Sequence, residues 1–268
     1  NRLFCGQVKS FNEMETIPAA LREKLSANFR ITSLEEAKRL ISVDGTVKWL
    51  YQTHDGHHIE TVLIPTNDRF SVCVSTQIGC AQNCAFCRTA KMGFIRNLEA
   101  GEILEEIIRV NWYLEETGTK HSDGSLAKVT NIIFMGMGEP LNNLEQVHRV
   151  CCTLHHQKLF NLGRKRMTIS TSGVVPKIKE LVDRNTPCCL AVSLNSTNDE
   201  RRSAVMPVNK VWNIAKLLEA TDEYTKRTGN YVTFEFVLMK GITCSEEAAK
   251  ELIRICAPRR CKVNAIVF

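Results

Sequence analysis

The chain has 268 residues, 44% hydrophobic and 24% charged, with a formal net charge of +6 and a sequence pI near 8.7. This is an ordinary globular composition, long enough to bury a sizeable core and basic without reaching the level of a nucleic-acid-binding tail. Twelve cysteines in a chain of this length, opening with no apolar signal segment, exclude a small disulfide-stapled secreted domain and point to a reducing compartment. No apolar run approaches the roughly 20 residues of a membrane span, so the chain reads as soluble.

Residues 1–69 read as a separate N-terminal region. Leu21–Leu25 and Leu34–Ile41 carry apolar residues at helical spacing with charges between them. Thr32-Ser33 offers an N-cap to the second run, so two short helices are expected. Thr46–Tyr51 and His58–Pro65 alternate on either side of Asp55-Gly56 and read as a β-hairpin or small sheet.

From Arg69 onward strands alternate with helices. Strand-like runs fall at Phe70–Ser75, Asn131–Met135, Lys165–Thr171, Cys188–Leu194, Tyr231–Met239 and Lys262–Phe268. Helical spacing covers Ala100–Glu116, Leu144–Leu159, Pro176–Val182, Trp212–Thr228 and Glu246–Cys256, with Asn195–Arg202 a polar segment. In the first helix Ile103, Leu104, Ile107, Ile108 and Leu114 share a face, and Glu102, Glu105, Glu106 and Arg109 lie off it. Six strands separated by helices imply an α/β fold of parallel βα units, either an open doubly wound sheet or a barrel. Both architectures place their sites just after the strands.

The densest chemistry is Cys80-Ala81-Gln82-Asn83-Cys84-Ala85-Phe86-Cys87, in the loop after the first of these strands. The spacing Cys-x3-Cys-x2-Cys supplies three close thiolates and no fourth. That suits an iron–sulfur cluster with one iron open to another ligand; a zinc site would ask for a fourth Cys or His at pair-like spacing. Gly136-Met137-Gly138-Glu139-Pro140 ends the second strand, where a glycine backbone can approach an ammonium group and a carboxylate can neutralise it. The vicinal pairs Cys151-Cys152 and Cys188-Cys189 read as buried packing residues. Arg164-Lys165-Arg166, Arg201-Arg202 and Arg259-Arg260 read as solvated faces, with contacts to RNA phosphates as the alternative.

Together, Cys-x3-Cys-x-Phe-Cys after one strand and Gly-Glu-Pro after the next resemble the radical S-adenosylmethionine (SAM) superfamily. Cys73–Cys80, Cys84–Ala90, Gly93–Leu98, Met135–Leu141, Ser170–Pro176, Asn198–Arg202 and Met206–Lys210 are similar, in order, to the RlmN/Cfr family of RNA adenine methyltransferases. The resemblance implies a radical SAM partial (β/α)6 barrel over 70–268 and a small α+β domain over 1–69 that binds RNA. It implies a [4Fe–4S] cluster on Cys80, Cys84 and Cys87. The open iron takes the amino and carboxylate groups of S-adenosyl-L-methionine, and one electron then releases a 5′-deoxyadenosyl radical.

Phe86, Gly138, Glu139, Ser170, Ser193, Leu194 and Asn195 match cofactor-binding positions, with Phe86 beside the adenine. Relatives usually carry His at the Asn195 position; Asn keeps a hydrogen bond but cannot carry a proton. Glu60 matches a proton acceptor and Cys73 a thiol that resolves a protein–RNA adduct. On residue pattern alone, Glu60 reads as a solvated strand face and Cys73 as core. The implied reaction is methylation of the adenine 2-position in ribosomal RNA, with transfer RNA as a further candidate, through a methyl-cysteine. The alternatives are the adenine 8-position, or a catalytically incomplete RNA- or cofactor-binding homologue. A flavodoxin-type electron donor, a monomeric state and a cytoplasmic, organelle-matrix or stromal location complete the expectation. The methyl-carrying cysteine of relatives lies beyond the sixth strand; Cys256 and Cys261 precede that strand and do not match it, so the sequence reads as a fragment lacking that tail.

Overall fold

In the computed structural model, which describes residues 8–267, the first expected helix is α1 (Ala19–Asn28). The second is not a helix. Glu35–Ile41 is strand β1, antiparallel to β2 (Val47–Gln52), with Ile41 opposite Val47 and Glu35 opposite Gln52. Tertiary pairing overrides the helical spacing here, because a short connection lays the run along the free edge of β2 and supplies its ladder hydrogen bonds. The expected N-cap is spent elsewhere: Ser33 gives its N–H (2.6 Å) and hydroxyl (2.9 Å) to Glu105 of α2 (Ala100–Glu116). β2 buries Val47, Trp49 and Tyr51 on one face, and β3 (His58–Thr66) returns antiparallel to it. β3 in turn pairs antiparallel with β4 (Arg69–Cys73), Val62 opposite Cys73, so the sheet runs unbroken across position 69.

β4 is the first of six parallel strands. After it come the short β5 (Gln77–Gly79) and β6 (Phe94–Asn97), paired only with each other, and then α2. The chain continues through β7 (Asn131–Phe134), α3 (Leu144–His155), β8 (Met167–Thr171), α4 (Val175–Asp183) and β9 (Cys189–Ser193). It ends with α5 (Asp199–Val205), α6 (Ile214–Thr228), β10 (Val232–Leu238), α7 (Glu246–Cys256) and β11 (Cys261–Val267). Phe268, the end of the last expected strand, lies outside the described residues. The sheet order is β1-β2-β3-β4-β7-β8-β9-β10-β11. Its parallel strands follow chain order with no reversal, which is barrel winding and not a doubly wound sheet. β4 and β11 do not pair, so the curve stays open as a partial (β/α)6 barrel. Among the described residues no helix is long and apolar enough to cross a membrane.

Two local expectations change, and the glutamates left off the apolar face of α2 find their places. Part of the segment expected to be merely polar, Asn195–Arg202, starts α5, because the Asn198 side chain accepts the N–H groups of Glu200 and Arg201 as an N-cap. Glu102, Glu105 and Glu106 do not face solvent; all three are buried. The outer side of α2 is covered by incoming chain: Glu105 holds Ser33 and Leu34, Arg96 forks onto Glu102, and Arg109 reaches the Leu34 carbonyl. Of the vicinal cysteines Cys151 and Cys188 are buried, whereas Cys152 is exposed and Cys189 half-buried, since neighbouring side chains on one helix or strand point apart.

Candidate functional site

The cysteine loop is closed at its base by the β5–β6 ribbon. The Cys80 N–H donates to the Gly93 carbonyl at 2.9 Å. Gly79 sits at φ +73°, and a Cβ there would lie 1.7 Å from the Gly93 oxygen, so this crossing admits only glycine. Within the loop, Asn83 adopts φ +54° and the Cys87 N–H donates to the Cys84 carbonyl at 3.1 Å. Ala85 N–H donates to the Val205 carbonyl at 2.9 Å and so fastens the loop to the end of α5. Cys80, Cys84 and Cys87 all line a cavity of about 280 Å³ at the C-terminal ends of the parallel strands.

The opposite walls come from the next strand ends. Gly138, Glu139, Ser170, Ser193 and Asn195 line the cavity, as does the half-buried Phe86, which packs against Val205, Met206, Val208 and Met239. Glu139 is buried and its N–H donates to Gln77 Oε1 at 2.8 Å. One carboxylate oxygen accepts from the Ser172 N–H and hydroxyl, both at 2.8 Å, and the other from the Leu141 N–H at 3.1 Å. Burial pushes the Glu139 pKa up, and these donors work against that shift. Gly138 has φ +103°, and a Cβ there would meet the Gln77 side chain at 2.6 Å.

Three of the residues singled out in the sequence do not line this cavity. The Leu194 side chain is in the core; its N–H donates to the Glu235 carbonyl and its own carbonyl accepts from Arg202. Glu60 is half-exposed on β3 in an ion pair with Lys48 at 2.6 Å. Cys73 ends β4, where burial first, and the nearby Glu106 and Glu60 carboxylates after it, push its thiol up to about 12. Asn195 is buried, its Oδ1 accepting from the Val237 N–H at 3.0 Å and its Nδ2 lying 3.4 Å from the Met206 sulfur.

Residue pattern missed Gln77, Ser172, Glu235 and Arg202. Arg202 overturns the reading of Arg201-Arg202 as a solvated or phosphate-facing pair, because it is fully buried while Arg201 stays partly exposed beside Glu251. The usable signal was the Asn198 N-cap, which fixes a helix and turns adjacent residues to different sides. A second, larger cavity of about 490 Å³ near Arg30, His54 and Arg96 holds no thiol, and its Asp55 and Glu102 carboxylates are already paired with Arg96.

The donor set suits a cluster. Among the described residues no three His, Cys, Asp or Glu groups stand close enough to hold one metal ion. A single zinc would draw three thiolates to within about 2.3 Å of one point and take a fourth Cys or His, whereas a cuboidal cluster takes each thiolate on a separate iron and so spaces them apart. Burial raises the pKa of Cys80 and pushes Cys84 up to about 12.

Comparison with known proteins decides the family. The Radical SAM superfamily profile matches residues 74–253. The dual-specificity RNA methyltransferase RlmN of Anaeromyxobacter dehalogenans is 42% identical over 259 residues, covering 97% of this chain and 68% of the relative. The chain belongs to the RlmN family of radical SAM enzymes. A probable dual-specificity RNA methyltransferase RlmN of Bacillus velezensis is 39% identical over 264 residues, covering 98% of this chain and 70% of its own length. The crystal structure of a radical SAM methyltransferase from Sphaerobacter thermophilus superposes with a TM-score of 0.90 at 40% identity, covering 96% of this chain and 74% of that one. Membership of this family brings with it a [4Fe–4S] cluster and S-adenosylmethionine.

Proposed function

We propose that this chain is the catalytic core of a radical SAM RNA methyltransferase that modifies the adenine 2-position of ribosomal RNA, with transfer RNA as a second substrate. The observation that carries this reading is the meeting of three free thiols, the Glu139 carboxylate and the Ser170 and Ser193 hydroxyls in one cavity. Cys80, Cys84 and Cys87 hold the cluster. Glu139, kept in place by Ser172, Leu141 and Gln77, takes the ammonium of S-adenosylmethionine, and Gly138 lets the backbone approach it. Ser170 and Ser193 donate to or accept from the cofactor's polar groups, and Phe86 packs beside its adenine.

The bound cluster and cofactor supply radical chemistry suited to an aromatic carbon that has no lone pair with which to attack a sulfonium. Asn195 is held by Val237 and Met206 and serves as a hydrogen-bonding wall residue, not a proton carrier. Glu60 is assigned as proton acceptor and Cys73 as the thiol that resolves the RNA adduct, both on the family resemblance. Among the described residues the cavity is lined by Cys80, Cys84 and Cys87 alone of the cysteines, so the methyl-cysteine of the proposed route is a different residue. A flavodoxin-type electron donor, a monomeric enzyme and a cytoplasmic, organelle-matrix or stromal location belong to the same proposal.

Anaerobic reconstitution followed by S-adenosylmethionine, reductant and RNA tests it. Cluster assembly with release of 5′-deoxyadenosine and formation of 2-methyladenosine is expected. Failure to assemble a cluster sinks the reading, methylation at the 8-position moves the site of reaction, and cofactor cleavage without methylated RNA favours a catalytically incomplete homologue.

A further inference from the structure

Arg202 is fully buried, and its hydrogen-bond acceptors are all neutral. Its Nε donates to the Leu194 carbonyl at 2.9 Å, Nη1 to the Asn209 side-chain oxygen at 2.9 Å, and Nη2 to the carbonyls of Ser172 at 2.6 Å and Ser193 at 2.9 Å. No carboxylate bonds Arg202 directly: Asp199 reaches it only through the Asn209 amide, and its Oδ1 also accepts from the Ile214 N–H, so the buried charge is offset only in part. Two links aim this charge at the cofactor cavity. The Ser172 carbonyl that binds Arg202 belongs to the residue whose N–H and hydroxyl hold Glu139. The helix that carries Arg202 ends at Val205, whose carbonyl anchors the cysteine loop at Ala85.

We propose that Arg202 is a positioning residue for the cavity and also its charge compensator: its fork locks the ends of β8 and β9 into one wall, and its positive charge offsets the thiolate-held cluster on the Cys84 side. Val205, three residues on from Arg202 in α5, accepts the N–H of Ala85, the residue next to Cys84. Burial lowers the Arg202 pKa to about 10, which leaves the guanidinium charged at neutral pH. Cluster potentials respond to net charge, hydrogen bonding and burial. Uptake of one electron from a reduced flavodoxin-type donor, or from dithionite in the experiment, adds one negative charge to the site and makes or breaks no bond. Arg202 favours that reduced state.

This inference rests on the cluster assignment above, and redox titration of reconstituted protein, monitored by electron paramagnetic resonance, tests both separately. Arg202→Gln, at matched iron content, is expected to lose at least tenfold in the equilibrium constant for electron uptake, about 59 mV toward negative potential. Arg202→Lys keeps the charge and loses the fork; it is expected to hold the potential while weakening S-adenosylmethionine binding about tenfold, since one ammonium cannot span three strand-end carbonyls. Should Arg202→Gln not fold, Asp199→Asn keeps the oxygen that accepts from the Ile214 N–H and removes the negative charge beside Asn209, and a shift toward positive potential is expected. A wild-type potential in Arg202→Gln or in Asp199→Asn overturns the inference and leaves the cluster assignment standing. A wild-type chain that assembles no cluster overturns both.

Discussion

Glu106 is a buried carboxyl with no cation beside it: one oxygen accepts from the Thr61 hydroxyl and the Ser75 N–H, and the other has no partner. Burial pushes its pKa well above the ordinary carboxylate range, so the folded state prefers it protonated. Its contribution to stability is therefore complete below the unfolded carboxylate pKa and is lost as pH rises through the raised folded value. Glu106→Gln keeps the acceptor oxygen and should flatten that loss; urea unfolding at pH 5 and pH 8 reads it, and parallel wild-type and variant pH dependences would count against the assignment. At Gly138, alanine would meet the Gln77 side chain at 2.6 Å and require φ +103°. Because Gln77 also holds the Glu139 N–H, Gly138→Ala should weaken cofactor binding at least tenfold, about 1.4 kcal/mol; unchanged affinity in an equilibrium titration would exclude this coupling. Cys84→Ala should abolish stable cluster loading, and iron content near the wild-type level would remove Cys84 from the ligand set.

Among the elements, α2 carries the most tertiary responsibility. Glu105 accepts from Ser33 and Leu34 and pairs with Arg109 at 2.7 Å, joining the start of β1 to the barrel's first helix. Glu105→Ala strands those donors and should cost about 3 kcal/mol in chemical denaturation; a loss below about 0.5 kcal/mol would mean that the clamp carries no net stability. This helix also shows how far sequence reaches. Its bounds, Ala100–Glu116, and its apolar face follow from periodicity, because that face meets the sheet. The burial of its glutamates does not follow, because the covering segment arrives from a distant part of the chain. Glu35–Ile41 fails in the same way: its spacing suits a helix, and only the neighbouring edge of β2 makes it a strand. The thiol cavity was legible because spacing within one loop encodes it, whereas Gln77 and Arg202 act through contacts that local pattern does not carry.

For the whole molecule, the unbroken sheet sets the geometry. β1–β3 hydrogen-bond onto β4, and β4 leads directly toward the cysteine loop, so the N-terminal strands belong to the same continuous sheet as the strands whose ends line the cavity. With a net charge of +6, RNA binding by this chain should weaken linearly in log affinity against log salt; binding insensitive to salt would argue against phosphate contacts.

The anchoring of Ala85 to Val205 also sets an order in time. Each parallel strand joins the one made just before it, so the sheet can grow as the chain leaves the ribosome. The three thiols emerge early, yet the residue that pins their loop lies more than a hundred positions later. At ordinary synthesis rates that interval is on the order of ten seconds. Until α5 docks the loop lacks that anchor, so stable metal loading is expected only once α5 has formed.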